Sequence, residues 1–245
     1  MFEVMELRNL PWLAGRGYNT WGIYIANTVC TRTKQPYTGS YMAVLFESFT
    51  DPITTGREEL GFSKLWAEMP DGTIDGTTRV HTANWFGAEF MRLELPNLVE
   101  VDVEHAPALH PRKWTHRKHA LCLSADNRLT KMTAHPSVPP TAATQHGILH
   151  HRYVPTVGQP GRHDASYTTY CPAPAGKPLV INYQTIKPED FSKVKLDITP
   201  ASWDKLPTLW NVVDGLAGIP RGEVLEVAVQ TFQGASDLIA NQKVE

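Results

Sequence analysis

The sequence predicts an α+β fold in which strands outnumber helices. Several segments alternate apolar and polar residues with a period of two. One segment near the C-terminal end carries an amphipathic helical period. Neither an internal repeat nor a low-complexity linker divides the 245 residues. A single domain over 1–245 is therefore expected, a length that β-rich domains commonly reach.

The strand signals come first. Residues 21–29 (W-G-I-Y-I-A-N-T-V) are aromatic and β-branched, and residues 41–46 (Y-M-A-V-L-F) follow after a turn signal at Thr38-Gly39-Ser40. Together they predict a long-connected hairpin. Residues 98–103 (L-V-E-V-D-V) alternate as a half-buried strand does. Residues 179–183 and 224–232 read the same way. A short helix is expected to start at Thr55, with acids in its first turn at Glu58 and Glu59. A second helix is expected from Leu206, Leu209, Val212, Val213 and Leu216, with Pro207 early and Gly218-Ile219-Pro220 as the stop. Residues 104–176 are dense in proline and histidine and are expected to cover one side of a β core.

Composition excludes several functions. The formal net charge is −2, so no basic excess points to nucleic acid or an anionic membrane surface. No stretch approaches the ~20 apolar residues of a membrane span. The first residues carry Glu3 and Glu6 and no long apolar run, which does not fit a signal peptide. Cys30, Cys122 and Cys171 are scattered and odd in number, fitting free thiols in a reducing, cytoplasmic compartment. The histidines form no recognisable ligand set: His116 and His119 are three apart, and His150 and His151 adjoin. No metal site and no cofactor are expected. There is no G-x-S-x-G elbow and no nucleotide-binding glycine motif. The expected partner is a small-molecule substrate.

Thr55-Gly56-Arg57-Glu58-Glu59-Leu60-Gly61-Phe62-Ser63-Lys64-Leu65 resembles the acetoacetate decarboxylase-like signature, in which a Gly-Arg-Glu turn leads to Gly-Tyr/Phe-Pro-Lys-Lys. Phe2-Glu3 and Tyr18-Asn19-Thr20-Trp21-Gly22 sit where that family has a Phe-Glu strand and a Tyr-Thr-Glu-Ser-Gly stretch. Leu206-Pro207-Thr208, residues 223–228 and Ser236-Asp237-Leu238 resemble its last helix and strand. The resemblance implies a bent antiparallel sheet, a cone-shaped barrel around a buried pocket. It also implies a homo-oligomer.

In that family a lysine forms a Schiff base with a ketone. A lysine amine at its ordinary pKa of about 10.4 cannot attack at neutral pH, so burial or a second cation must activate it. The resemblance puts Lys64 at the Schiff-base position and Glu3 at one family acid. It puts Leu65 where a second lysine stands, Ser63 where the proline stands, and Thr20 where the other acid stands. These departures leave three readings of Lys64: an imine former activated by a dry pocket, a charged donor to a substrate oxygen, or an exposed lysine. They turn the expected chemistry from decarboxylation towards acid–base ring closure on a polyketide-like substrate of specialised metabolism. A Schiff-base lyase and a non-catalytic binding protein are the alternatives. His81, close after the signature, is a candidate general acid or base. Tyr18, Trp21, Tyr24, Trp66 and Trp85 are candidate pocket walls or ordinary core. Glu47 and Asp51 flank the signature as pocket acids or solvated loop acids. Arg57 and Glu58 bind substrate or fix the helix start.

Overall fold

Alternating apolar residues build a mixed β architecture with two short helices. The computed structural model describes residues 1–30, 37–105, 147–172, 179–234 and 240–244. The largest sheet contains β1 (Phe2–Leu10), β2 (Arg16–Cys30), β3 (Tyr37–Glu47), β4 (Lys64–Trp66), β9 (Gly147–Pro155), β10 (His163–Pro172) and β14 (Gln242–Val244). A second sheet has the order β12-β7-β6-β5, from β5 (Thr73–Asp75), β6 (Thr78–Trp85), β7 (Ala88–Pro96) and β12 (Lys195–Ile198). A third joins β8 (Val99–Val101), β11 (Leu179–Thr185) and β13 (Ala228–Gln233). Helix α1 (Thr50–Glu58) connects β3 to β4, and α2 (Trp210–Ala217) lies between β12 and β13.

The hairpin read from the sequence is β2–β3, paired from Thr20↔Glu47 to Cys30↔Tyr37. Thr38 to Ser40 is not its turn, because Thr38 and Gly39 already pair with Val29 and Thr28. Strand β3 forks the sheet. Its first edge is wholly β2, whereas its other edge takes β9 at Gly39–Tyr41 and β4 at Leu45–Glu47, both parallel. The α+β class therefore holds, but the sheet is mixed rather than purely antiparallel. No closed barrel forms among the described residues.

Register assigns the two faces of this sheet. Val4, Trp21, Phe46 and Leu65 lie in one row across β1, β2, β3 and β4. Their face meets β6, β7 and α2 in the main core, with Phe90, Met91, Leu206, Leu209, Val213 and Leu216. Each such large side chain contributes roughly 1.5–3 kcal/mol by leaving water. The opposite face carries Glu3, Gly22, Leu45 and Lys64 in one row, and Met5, Thr20, Glu47 and Trp66 in the next.

Both helices depart from their sequence expectation. Helix α1 begins at Thr50, so Gly56-Arg57-Glu58 forms its end and not its start. Asp51 sits in the first turn, and Pro52 follows where a missing N–H costs nothing. Thr55 is no cap; its hydroxyl donates back to the Asp51 carbonyl at 2.8 Å. Helix α2 starts at Trp210, after a turn in which Leu206 and Leu209 are already buried. Within 104–176, residues 147–155 and 163–172 are strands of the main sheet and not a cover. His110, His116, His119, His135, His146, Cys122, the Pro139-Pro140 segment and Ser236-Asp237-Leu238 lie outside the described residues.

Candidate active site

Lys64 opens β4, on the face away from the main core. Chain reversal puts it there: α1 ends, Gly61 takes a φ of 76° that suits glycine, and Phe62 donates its N–H to the Gly56 carbonyl at 3.0 Å. The lysine side chain then runs back along α1. A Cβ on Gly56 would lie 2.3 Å from Lys64 Cε and 2.4 Å from Nζ, so glycine makes room for it. Lys64 Nζ donates to Glu47 Oε1 at 2.8 Å and to the Pro52 carbonyl at 3.0 Å. The Phe62 ring centroid is 5.9 Å from Nζ. Lys64 is 5% exposed and Glu47 1%, so the pair is withdrawn from water.

Burial pushes the Glu47 carboxyl above the usual range, and the Lys64 ammonium partly offsets this by charge and hydrogen bond. Tyr18 is pushed upward too, chiefly by burial and then by the Glu47 charge. Thr20 is the cross-strand partner of Glu47 and faces the same side. Thr20 Oγ1 and Glu47 Oε2 are both buried with no hydrogen-bond partner among the described residues. One acceptor on the carboxylate that pairs with the buried ammonium, and one hydroxyl on the strand next to it, are thus left without partners.

The structure gathers Lys64, Glu47, Thr20 and Tyr18, whereas Glu3 lies on the same face three strands from Lys64, with Gly22 and Leu45 between them. The Tyr24 ring folds back over Gly22, where a Cβ would come within 2.4 Å of it. It packs with Met42, Leu45 and Phe62. Trp21 and Leu65 are placed elsewhere, in or against the main core on the other face. Arg57 is turned to the backbone: its Nη1 donates to the Lys64 carbonyl at 3.0 Å, which makes it a positioning residue. Asp51 is exposed in the first turn of α1.

His81 lies apart from Lys64. Its Nδ1 is 3.5 Å from Glu6 Oε1, and Glu6 points to the face opposite Glu3 and Met5. Arg79 Nε donates to His81 Nε2 at 3.1 Å. Burial and then Arg79 depress the His81 pKa, against the pull of Glu6. His150, which the sequence marks only by its place next to His151, is 3% exposed beside Phe62 and bonded through Nδ1 to the Met42 carbonyl at 3.2 Å. Its apolar neighbours Ile148 and Leu149 were the available signal. The Pro52 carbonyl has no sequence signature at all. No group of three His, Cys, Asp or Glu is gathered for a metal among the described residues, and no described helix is long and apolar enough to cross a membrane.

Known structures share this arrangement of strands. An acetoacetate decarboxylase superposes with a TM-score of 0.55 at 11% identity, over 99% of this chain and 74% of its own. Acetoacetate decarboxylase from Legionella pneumophila subsp. pneumophila str. Philadelphia 1 gives 0.51 at 13% identity, over 100% of this chain and 84% of its own. The chain has the acetoacetate decarboxylase-like fold. No protein-family model matches the sequence, nor does any curated protein. The shared fold spans nearly the whole chain, so the Lys64 site sits within an acetoacetate decarboxylase-like framework and not on an appended element.

Proposed function

We propose that the chain is an enzyme of the acetoacetate decarboxylase-like superfamily that uses Lys64 and Glu47 as an acid–base pair. Its substrate would be a polyketide-like molecule bearing a phenol and an enone, and its reaction an intramolecular C–O ring closure. One observation carries this reading: a buried lysine 2.8 Å from a buried carboxylate whose second oxygen is unpartnered. Glu47 Oε2 accepts the hydroxyl proton while Thr20 Oγ1 holds the hydroxyl. The oxygen bonds to the β-carbon of the enone, and the π electrons move to the carbonyl oxygen. The Lys64 ammonium stabilises that enolate, the largest kind of term in such catalysis. The proton on Glu47 then returns to the α-carbon, so the reaction is an isomerisation and needs no cofactor. A raised carboxyl pKa makes Glu47 a stronger base than an ordinary glutamate.

The test uses an ortho-hydroxychalcone, which closes to a flavanone with loss of its long-wavelength absorbance. Wild type is expected to accelerate closure, and Glu47→Gln to lower kcat by about 10²-fold. The acid limb of kcat/KM should lie above that of an ordinary glutamate, because activity needs the ionised carboxylate. Binding of the chalcone without turnover would instead favour a binding protein.

A second reading rests on the same contact. Glu47 can take the ammonium proton and leave a neutral amine, so imine formation does not strictly need a second lysine. Borohydride with acetoacetate or pyruvate would then fix a reduced adduct on Lys64, and its detection without chalcone turnover would put the lyase reading ahead.

A further inference from the structure

Strands β6 and β7 are joined by a two-residue turn, Phe86-Gly87, with Trp85 paired to Ala88. Both turn residues have positive φ, 45° for Phe86 and 82° for Gly87. Turns of this kind favour Asn-Gly, and a bulky side chain at the first position is strained. Phe86 is 72% exposed, so burial does not offset that strain. Its ring instead packs against two tryptophans: Trp66, tilted at 44° with centroids 5.2 Å apart, and Trp85, edge to face at 4.8 Å.

Trp66 links this cluster to the acid–base pair. It lies two residues after Lys64, so both face the same side of β4, and it is the cross-strand partner of Glu47. The turn is also held in place. Glu68 Oε2 accepts from the Gly87 N–H at 3.1 Å, and Glu68 and Asn84 exchange two backbone bonds of 2.8 Å. Strained backbone retained at an exposed position is a mark of function, and a fixed aromatic surface binds without first being ordered.

We infer that Trp66 and Phe86 form an aromatic clamp beside the Lys64–Glu47 pair that binds a planar aromatic ring of the substrate. The chemistry assigned to that ring rests on the ring-closure reading, but the clamp itself does not. The favourable geometry is an offset or edge-on stack on the open face of Phe86. The clamp determines specificity and touches no proton in transit.

The test measures flavanone binding by tryptophan fluorescence, with cyclohexanone as a non-aromatic carbonyl control. Wild type is expected to bind flavanone, and to bind cyclohexanone far more weakly. Phe86→Asn should weaken flavanone by about tenfold, the loss of one aromatic contact. The same variant should melt at a higher temperature, because asparagine suits the turn. Trp66→Leu should weaken binding similarly. Unchanged flavanone affinity in Phe86→Asn would overturn the clamp. So would a binding loss accompanied by a lower melting temperature, or no flavanone binding by wild type. Chalcone closure with the same KM in Phe86→Asn would remove the clamp and leave the acid–base reading standing. Flavanone binding lost in Phe86→Asn without any closure by wild type would do the reverse.

Discussion

A buried ion pair is weak evidence for stability, and the Lys64–Glu47 contact should be read in that light. Removing one partner leaves the other charge unpaired and dry, at a cost of about 3–5 kcal/mol, whereas replacing both with apolar groups is close to neutral. Lys64→Met is therefore expected to lower unfolding free energy in urea at neutral pH by about 3 kcal/mol. Adding Glu47→Leu should recover most of it while activity stays lost. A Lys64→Met variant as stable as wild type would mean that Glu47 is already neutral in the folded protein. Gly56 separates geometry from charge. Gly56→Ala would place a methyl 2.4 Å from Lys64 Nζ, on a helix that alanine otherwise favours by about 1 kcal/mol. Activity should fall more than stability, measured by chalcone closure and urea midpoint on the same preparation.

At the scale of elements, the site depends on the fork in β3. The strand pairs with β9 at one end and β4 at the other, and its backbone approaches that of β9 closely at the outer end of their pairing. Gly39 meets Gly147 so tightly that an added Cβ would lie 2.1 Å from the Gly147 carbonyl oxygen. Gly39→Ala should push β9 away and cost about 1–3 kcal/mol, read from urea unfolding. Retention of wild-type stability would show that the β3–β9 contact is dispensable. Strands β2 and β3 could be read from the sequence because both are rich in aromatic and β-branched residues, although Asn19 to Tyr24 and Val44 to Glu47 are buried on both faces. The fork could not, because parallel pairing between Gly39–Tyr41 and residues 147–149 joins segments more than a hundred positions apart. Helix α1 was shifted because its start is marked by Phe49 and Pro52 without a capping side chain, while the Gly-Arg-Glu signal stands at its end. Strands β9 and β10 were obscured by His and Pro density nearby, although Leu149 and Tyr170 are fully buried in them. Lys64 was legible through the signature, but the Glu47 contact was not. Its burial is fixed by Thr20 on one side and Trp66 on the other, and no local pattern in the sequence carries that register.

For the whole molecule, buried histidines make stability depend on acid. His150 sits between Tyr41 and Phe62 and is bonded to the Met42 carbonyl. Burial lowers its pKa from 6.5 to about 4, and the Met42 bond opposes the shift. Between those two values the unfolded chain binds a proton that the folded protein refuses, so stability rises with pH across the window. The contribution is fully present above pH 6.5 and is lost as pH falls towards 4. Its size is about 3 kcal/mol at 1.36 kcal/mol per pKa unit. His81, depressed chiefly by burial on the other face of the sheet, acts in the same direction. Glu47 acts oppositely, because a carboxyl raised by burial holds its proton longer in the folded state, and folding then loses stability as pH rises through that range. His150 and His81 each predict a urea midpoint that falls on acidification from neutral pH, and Glu47 opposes them. His150→Gln keeps a donor for the Met42 carbonyl but cannot titrate. Its urea midpoint should vary less with pH than that of wild type, the difference in slope approaching one proton between the two pKa values. Identical slopes for the two proteins would place the proton uptake at His81 or elsewhere, and His150 would then be an ordinary neutral core residue.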